Sequence, residues 1–181
     1  MSDRYELKRP VFFVGFMGAG KTSVARRLAR QCHVASVDMD TYLERREGKK
    51  VKAIFAESGE EGFRALETDV LGELAAKEPL LVSCGGGVVK RDENRAILRD
   101  AGFVVYLKVT ADEAKSRISD TSTRPLFQDL DAARKTSEER LPLYAEVADL
   151  TIDTAGKNVA TIAREVQSAL EKEGILCLQR K

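Results

Sequence analysis

One stretch near the amino terminus constrains everything that follows. Val11-Phe12-Phe13-Val14 is apolar and rich in β-branched and aromatic side chains. It stops abruptly at Gly15-Phe16-Met17-Gly18-Ala19-Gly20-Lys21-Thr22-Ser23, and a helix-competent segment from Val24 to Gln31 follows directly. The pattern G-x-x-x-x-G-K-T between a strand and a helix is that of a phosphate-binding loop. Glycines let the backbone wrap closely around a phosphate with its N–H groups turned inward. The helix N-terminus adds partial positive charge where those donors converge. Gly18, Ala19, Gly20, Lys21, Thr22 and Ser23 are therefore candidate nucleotide-binding residues. Lys21 is placed to meet the outer phosphates as a point charge, and the Thr22 hydroxyl to hold Mg²⁺. An ordinary glycine turn does not require all of these positions to be filled. Binding of a nucleoside triphosphate is expected, and its use is left open.

The rest of the chain is read for what would surround such a loop. Further strands are predicted at Val34–Val37, Leu80–Cys84, Phe103–Val109 and Leu150–Asp153. Helices are predicted over about 40–46, 51–57, 92–100, 111–119 and 131–144. Ser58-Gly59 breaks the chain. Phe63, Leu66, Val70, Leu71, Leu74 and Ala75 then recur at helical spacing, and Val159, Ile162, Ala163, Val166, Ala169 and Leu170 mark a closing amphipathic helix. Alternating strands and crossover helices imply an α/β fold, a five-stranded parallel sheet covered on both faces. Ligands of such sheets bind at the carboxyl edge of the strands. Residues 119–129 are polar, contain Pro125, and read as a mobile loop, whereas the polar, charged segment Met1–Arg9 is expected to fray.

Composition narrows the partners. A chain of 181 residues with a net charge of +1 is expected to form a single domain over 1–181 with no nucleic-acid surface. Cys32, Cys84 and Cys177 are odd in number and lack metal-binding spacing, and His33 is the only histidine. Reduced thiols and a cytosolic location follow. No run of apolar residues is long enough to suggest a membrane span or signal peptide.

Residues that suggest chemistry fall just after the predicted strands. Asp38-Met39-Asp40 follows the second. In a protein that binds Mg–nucleotide, one carboxylate can steady the hard cation and the other can hold or deprotonate an acceptor hydroxyl. Alternation along an extended segment places both on one side, although Asp40 is also a candidate N-cap. Gly85-Gly86-Gly87 follows the third strand, where backbone N–H groups are expected to approach a ligand. Arg64 has Glu67 at i+3 to orient it, Arg124 stands beside Pro125 in the polar loop, and Arg140 opens Arg140-Leu141-Pro142-Leu143-Tyr144. The loop arginine fits a finger closing over phosphates. The other two suit a clamp on a carboxylate, but their pairing cannot be read from spacing.

Taken together, Gly15–Ser23, Asp38-Met39-Asp40, Gly62-Phe63-Arg64 with Glu67, Gly85-Gly86-Gly87, Thr123-Arg124-Pro125-Leu126 and Arg140-Leu141-Pro142-Leu143-Tyr144 resemble the shikimate kinases, a nucleoside-monophosphate-kinase-like branch of the P-loop folds. The resemblance runs from residue 15 to 144 and departs nowhere at a position expected to carry chemistry. It implies a three-layer P-loop NTPase fold with a helical substrate-binding segment over 40–70 and a lid over 119–129. It also implies transfer of the ATP γ-phosphoryl to the 3-hydroxyl of shikimate in aromatic amino-acid biosynthesis, by a cytoplasmic monomer. By the same resemblance, Asp40 binds the acceptor hydroxyl and is the candidate base, and Arg64 and Arg140 grip the substrate carboxylate. Gly85, Gly86 and Gly87 line the acceptor site. Lys21 and Arg124 neutralise the transferring phosphate, while Thr22 and, through water, Asp38 hold Mg²⁺. Arg117 lies against adenine, edged by residues 156–158; Ser83 matches a family serine, and Cys84 reads as packing. The alternatives are a sugar-acid kinase, such as one for gluconate, and a nucleotide-operated switch. A switch calls for a guanine-specifying N-K-x-D stretch, which is absent.

Overall fold

The computed structural model describes residues 4–118 and 125–179. Strand β1 (Arg4–Leu7) is followed by β2 (Val11–Val14), the phosphate loop and α1 (Lys21–Cys32). Then come β3 (Ser36–Asp38), α2 (Met39–Glu47), α3 (Val51–Ala75), β4 (Leu81–Ser83), α4 (Asp92–Ala101) and β5 (Phe103–Lys108). The chain closes with α5 (Ala111–Arg117), α6 (Leu130–Val147), β6 (Leu150–Asp153), α7 (Val159–Lys172) and β7 (Leu176–Gln179). Short 3₁₀ turns occupy Val88–Lys90 and Pro125–Gln128.

Five strands form the expected parallel sheet, in the order β3-β4-β2-β5-β6. Its central strand, β2, is fully buried at every position, as a strand covered on both faces must be. Helix α1 packs on α7, and α4 packs with α3 and α6, so helices flank the sheet. The register decides where the site forms. Phe13 and Asp38 both pair with Ser83, so β2, β3 and β4 end level with one another. The phosphate loop, the acidic pair and the glycine triplet therefore emerge side by side.

Local differences from the sequence reading have identifiable causes. The second strand begins two residues later than Val34, because α1 ends on His33 in the left-handed conformation (φ 54°). The Val34 N–H then bonds back to the Ala29 carbonyl at 3.1 Å, which keeps Val34 out of the sheet. Gly59 breaks the long helix as expected, with φ 66° and ψ −172° between two helical stretches of α3. Helix α6 runs past Pro142 to Val147, where Tyr144 and Val147 bury their side chains.

The amino-terminal segment is a correction. Arg4–Leu7 does not fray; it pairs antiparallel with β7, Leu7 opposite Leu176, in a separate two-stranded sheet. Polar composition concealed this, because only Leu7 of β1 is buried while its neighbours face water. A backbone partner from the far end of the chain satisfies the strand. Leu176→Ala is expected to lower unfolding free energy by about 2–5 kcal/mol, the usual range for a truncated core leucine, as read from urea denaturation. An unchanged midpoint would show that the two chain ends fold independently of the core.

Candidate active site

The phosphate loop adopts a shape that its glycines permit. Gly15, Gly18 and Gly20 have φ of 146°, 80° and 93°, a region that other L-residues rarely enter. Gly18 also packs tightly, since a Cβ there would lie 2.9 Å from the Ala114 carbonyl oxygen of α5. Gly20 caps α1 without any side-chain acceptor, and the first turn of the helix carries no acidic residue. The orphan N–H groups and positive dipole end are thus left to an outside anion. Lys21 is buried, with Nζ donating to the Gly15 carbonyl at 2.6 Å and to that of Phe16 at 3.1 Å. An ammonium held among carbonyls at the loop's mouth is poised over the space a phosphate would enter.

Beside it, the Thr22 hydroxyl donates to Asp38 Oδ2 at 2.8 Å and lies 2.9 Å from Ser83 Oγ. Three hard oxygens from three elements meet here, a donor set suited to Mg²⁺. No cluster of three or more His, Cys, Asp or Glu side chains able to hold a metal occurs among the described residues.

The acidic pair is arranged differently from the alternation argument. Asp38 is the N-cap of α2, its Oδ1 accepting the Thr41 N–H at 2.9 Å, and Asp40 already belongs to the first helical turn. The strand ends at Asp38, so the two are not alternate residues of one extended segment. They nevertheless line the same cleft of about 670 Å³, which also takes in residues 17–24, 83–86, Arg117, Lys157 and Asn158. The Asp40 carboxyl has its proton affinity raised above the ordinary range. Removal from bulk water by the cleft walls is the main cause and the negative Asp38 the second, with Lys21 and Arg64 opposing. Asp40 remains water-accessible in surface area, so the rise is that of a walled group rather than a buried one.

The glycine triplet serves a purpose beyond backbone donation. None of Gly85, Gly86 and Gly87 has a positive φ, so conformational freedom is not what they provide. They provide room. A Cβ on Gly85 would lie 3.2 Å from Glu67 Oε2 and 3.4 Å from Asp40 Oδ1. One on Gly86 would lie 3.4 Å from Arg140 Nη1, and one on Gly87 would fall on the Arg64 guanidinium, 2.6 Å from Cζ. Two carboxylates and two guanidinium groups thus rest on bare backbone.

Arg64 donates from Nη1 to Glu67 Oε1 at 2.7 Å, with both side chains nearly closed off from water. Burial pushes the Glu67 carboxyl up and the Arg64 charge pulls it back. Arg64 Nε is buried without a hydrogen bond among the described residues, although Glu60 Oε1 lies 3.5 Å away. Arg140 has no carboxylate within 4.0 Å among those residues, which leaves its charge available to a ligand. Helix α6 also contributes Tyr144, whose hydroxyl donates to the Gly86 carbonyl at 2.5 Å. Burial raises that phenol to about 12, so it stays protonated. Sequence reasoning quoted Tyr144 without giving it a role; its position one turn after Arg140 was the available signal.

At the other end of the cleft, Arg117 is fixed by its donors. Nη1 reaches Thr154 Oγ1 at 3.0 Å, and Nη2 reaches the Thr154 carbonyl and Glu113 Oε1, each at 2.7 Å. Glu113 also accepts from the Gly156 N–H at 3.3 Å, so the arginine and residues 156–158 form one unit. Glu113 and Thr154, neither singled out from sequence, give Arg117 a fixed, planar face. Arg124 and most of the polar loop lie outside the described residues. The loop's end is packed: Phe127 is buried edge-on against Phe16, with centroids 5.8 Å apart.

A phosphate cradle, a hard-oxygen corner, a carboxylate of raised proton affinity and two clustered arginines suit phosphoryl transfer to the hydroxyl of an anionic acceptor. Comparison with known proteins agrees. A family model described as shikimate kinase matches residues 17–171. A shikimate kinase of Vibrio parahaemolyticus is 40% identical over 168 residues, 91% of this chain and 98% of the relative. One of Ralstonia nicotianae is 42% identical over 169 residues, 92% of this chain and 89% of the relative. Among solved structures, a shikimate kinase from Acinetobacter baumannii in complex with shikimate has a TM-score of 0.86 at 35% identity, covering 91% of this chain and 94% of that one. A gluconokinase from Sinorhizobium meliloti has a TM-score of 0.58 at 19% identity over 92% of this chain and 94% of that one, a likeness of fold alone.

In a carbon NMR titration, the Asp40 carboxyl is expected to titrate above the ordinary value of 3.8. Asp38→Asn is expected to move it down, since removing a neighbouring negative charge eases deprotonation. A midpoint at or below the ordinary value would mean that the cleft hydrates Asp40 fully.

Proposed function

Since the chain belongs to the shikimate kinase family, we propose that it transfers the γ-phosphoryl group of ATP to the 3-hydroxyl of shikimate, giving shikimate 3-phosphate and ADP. The observation that carries this reading is the convergence of Asp40, Arg64 and Arg140 on the glycine triplet, one strand away from the phosphate loop. A nucleotide switch has no use for such a pocket.

The acceptor is held by its carboxylate between Arg64 and Arg140, with Glu67 holding Arg64 in place. Arginine suits this task because its planar fork matches a carboxylate in two hydrogen bonds. The 3-hydroxyl then faces Asp40, whose raised proton affinity makes it a better proton acceptor than an ordinary aspartate. As the hydroxyl oxygen bonds to the γ-phosphorus, the bond to the β-phosphate oxygen breaks and the hydroxyl proton passes to Asp40. Backbone N–H groups of residues 18–23 and the Lys21 ammonium cradle the phosphates, and Arg124 serves with Lys21 to neutralise the transferring phosphoryl group. Thr22 and, through water, Asp38 would hold Mg²⁺, which would supply charge neutralisation for the phosphates. A loose transition state needs charge neutralisation and alignment more than a strong base. Adenine lies against the fixed plane of Arg117, bordered by residues 156–158.

The enzyme acts as a cytosolic monomer with 1–181 as one kinase domain. Only Phe55, Val159 and Leu178 are large exposed hydrophobic side chains among the described residues, and they sit on three separate elements. No helix of the described residues is long and apolar enough to cross a membrane.

A coupled assay of ATP consumption with shikimate, with gluconate and with no acceptor tests the reading. Turnover is expected with shikimate alone; gluconate-driven or acceptor-independent turnover would overturn it. Arg140→Ala is expected to raise the KM for shikimate about 10- to 100-fold, the worth of a charge-assisted pair, and to leave that for ATP nearly unchanged. Equal effects on both would remove Arg140 from the carboxylate clamp. Asp40→Asn is expected to lower kcat about 10²–10⁴-fold, the usual contribution of a positioned proton acceptor, with ATP affinity retained. Near-normal turnover would take Asp40 out of catalysis.

A further inference from the structure

Tyr144 is buried, its ring stacks on Tyr106 with centroids 5.2 Å apart, and its hydroxyl donates to the Gly86 carbonyl at 2.5 Å. Arg140 lies one helical turn earlier on the same face of α6. The positive charge of its guanidinium acts on the Tyr144 hydroxyl and opposes the rise that burial causes. The same guanidinium comes within 3.4 Å of where a Gly86 Cβ would stand. The Tyr144 hydroxyl is thus bonded to the glycine triplet, and the arginine one turn earlier on the same helix lies against the same backbone. Pro142 lies between the two residues and has no N–H to give to the Glu138 carbonyl. This turn of α6 therefore lacks one of its backbone ties, at the point where it must present a charged side chain.

We infer that Tyr144 is a positioning residue for the acceptor carboxylate: its hydroxyl fastens the Arg140 turn of α6 to the Gly86 carbonyl, and so sets the distance between Arg140 and the Arg64 guanidinium resting on Gly87. The inference rests on the reading of this site as the shikimate pocket and assigns it a further specificity determinant. Without the hydroxyl, a partly buried carbonyl loses its donor and Arg140 loses a neighbour that holds its orientation. The consequence falls on the acceptor side, because among the described residues no hydrogen bond joins Tyr144 to the phosphate loop.

Tyr144→Phe keeps the ring and its stacking, so it isolates the hydroxyl. Tyr106→Phe serves as control, since the Tyr106 hydroxyl makes no hydrogen bond among the described residues. The KM for shikimate is expected to rise about tenfold in Tyr144→Phe, the usual worth of one well-placed hydrogen bond, with the KM for ATP unchanged. Tyr106→Phe should change neither. Combined with Arg140→Ala, Tyr144→Phe should add no further loss, because the two act through one group. An unchanged KM for shikimate, a parallel rise in both KM values, or additive losses would each overturn the inference. The Arg140 side-chain Nε–H signal in NMR offers a readout without turnover: it should shift in Tyr144→Phe and stay in Tyr106→Phe, and an unmoved signal counts against the strut. Lack of shikimate-dependent turnover in the unaltered protein would instead overturn the function, whatever that signal does.

Discussion

A carboxylate with almost no access to water cannot stay charged unless a cation is held against it, and Glu67 has Arg64 at 2.7 Å for that purpose. Much of the acceptor site depends on this pair. Arg64 is kept from wandering, and its guanidinium lies against Gly87 in the segment that follows β4. The pair fits only because Gly85 and Gly87 lack side chains. A methyl group on Gly85 would crowd Glu67 Oε2 at 3.2 Å, and one on Gly87 would fall on the Arg64 guanidinium, so either would force the pair to shift. Three consecutive glycines cost chain entropy, and the cost is accepted where charged groups must lie on bare backbone.

The same edge of the sheet keeps two kinds of charge apart. Phosphate-binding elements follow β2: an uncapped helix terminus, Lys21 and a run of backbone N–H groups. Acidic groups come at the end of β3 and just after it, where Asp38 accepts from Thr22 in the hard-oxygen corner and Asp40 lies against Gly85. Because β2, β3 and β4 end level and β4 lies between the other two, the elements that follow β2 and β3 are separated by two strand spacings, roughly 4.8 Å each. The elements that hold phosphate and those that line the acceptor pocket are thus placed by sheet geometry rather than by a flexible connection. The arginines complete the arrangement from α3 and α6, and a nearly neutral protein can in this way select two anionic substrates.

Sequence reading recovered most of this because its signals were local. The phosphate loop is contiguous, and its glycines, lysine and threonine announce their chemistry by spacing. Arg64 and Glu67 were legible as an i,i+3 pair on a helix. Other features could not be reached that way. The role of Tyr144 depends on a carbonyl 58 residues away in sequence. Thr154 and Glu113 position Arg117 from different elements. The pairing of Arg4–Leu7 with Leu176–Gln179 joins the two ends of the chain, and nothing in either segment points to the other. Asp38 and Asp40 show the opposite error, in which a local rule was applied across a boundary that the helix cap had shifted by two residues.

What the sequence determined by itself is the chemistry available: a phosphate cradle, hard oxygens, a pair of aspartates, two arginines on predicted helices and a third in the polar segment 119–129. Alternation of apolar runs with amphipathic helices was enough to imply a parallel sheet, since strand and helix periods are properties of neighbouring residues. The tertiary structure decided which of these groups meet. It took the register of three strands to align the loops, and the absence of three side chains to seat Asp40, Glu67, Arg64 and Arg140 together. Packing of α6 then brought a tyrosine hydroxyl to the glycine backbone. Those contacts arise between segments far apart along the chain, where no spacing rule operates, and only the packed fold supplies the distances that charge pairing requires.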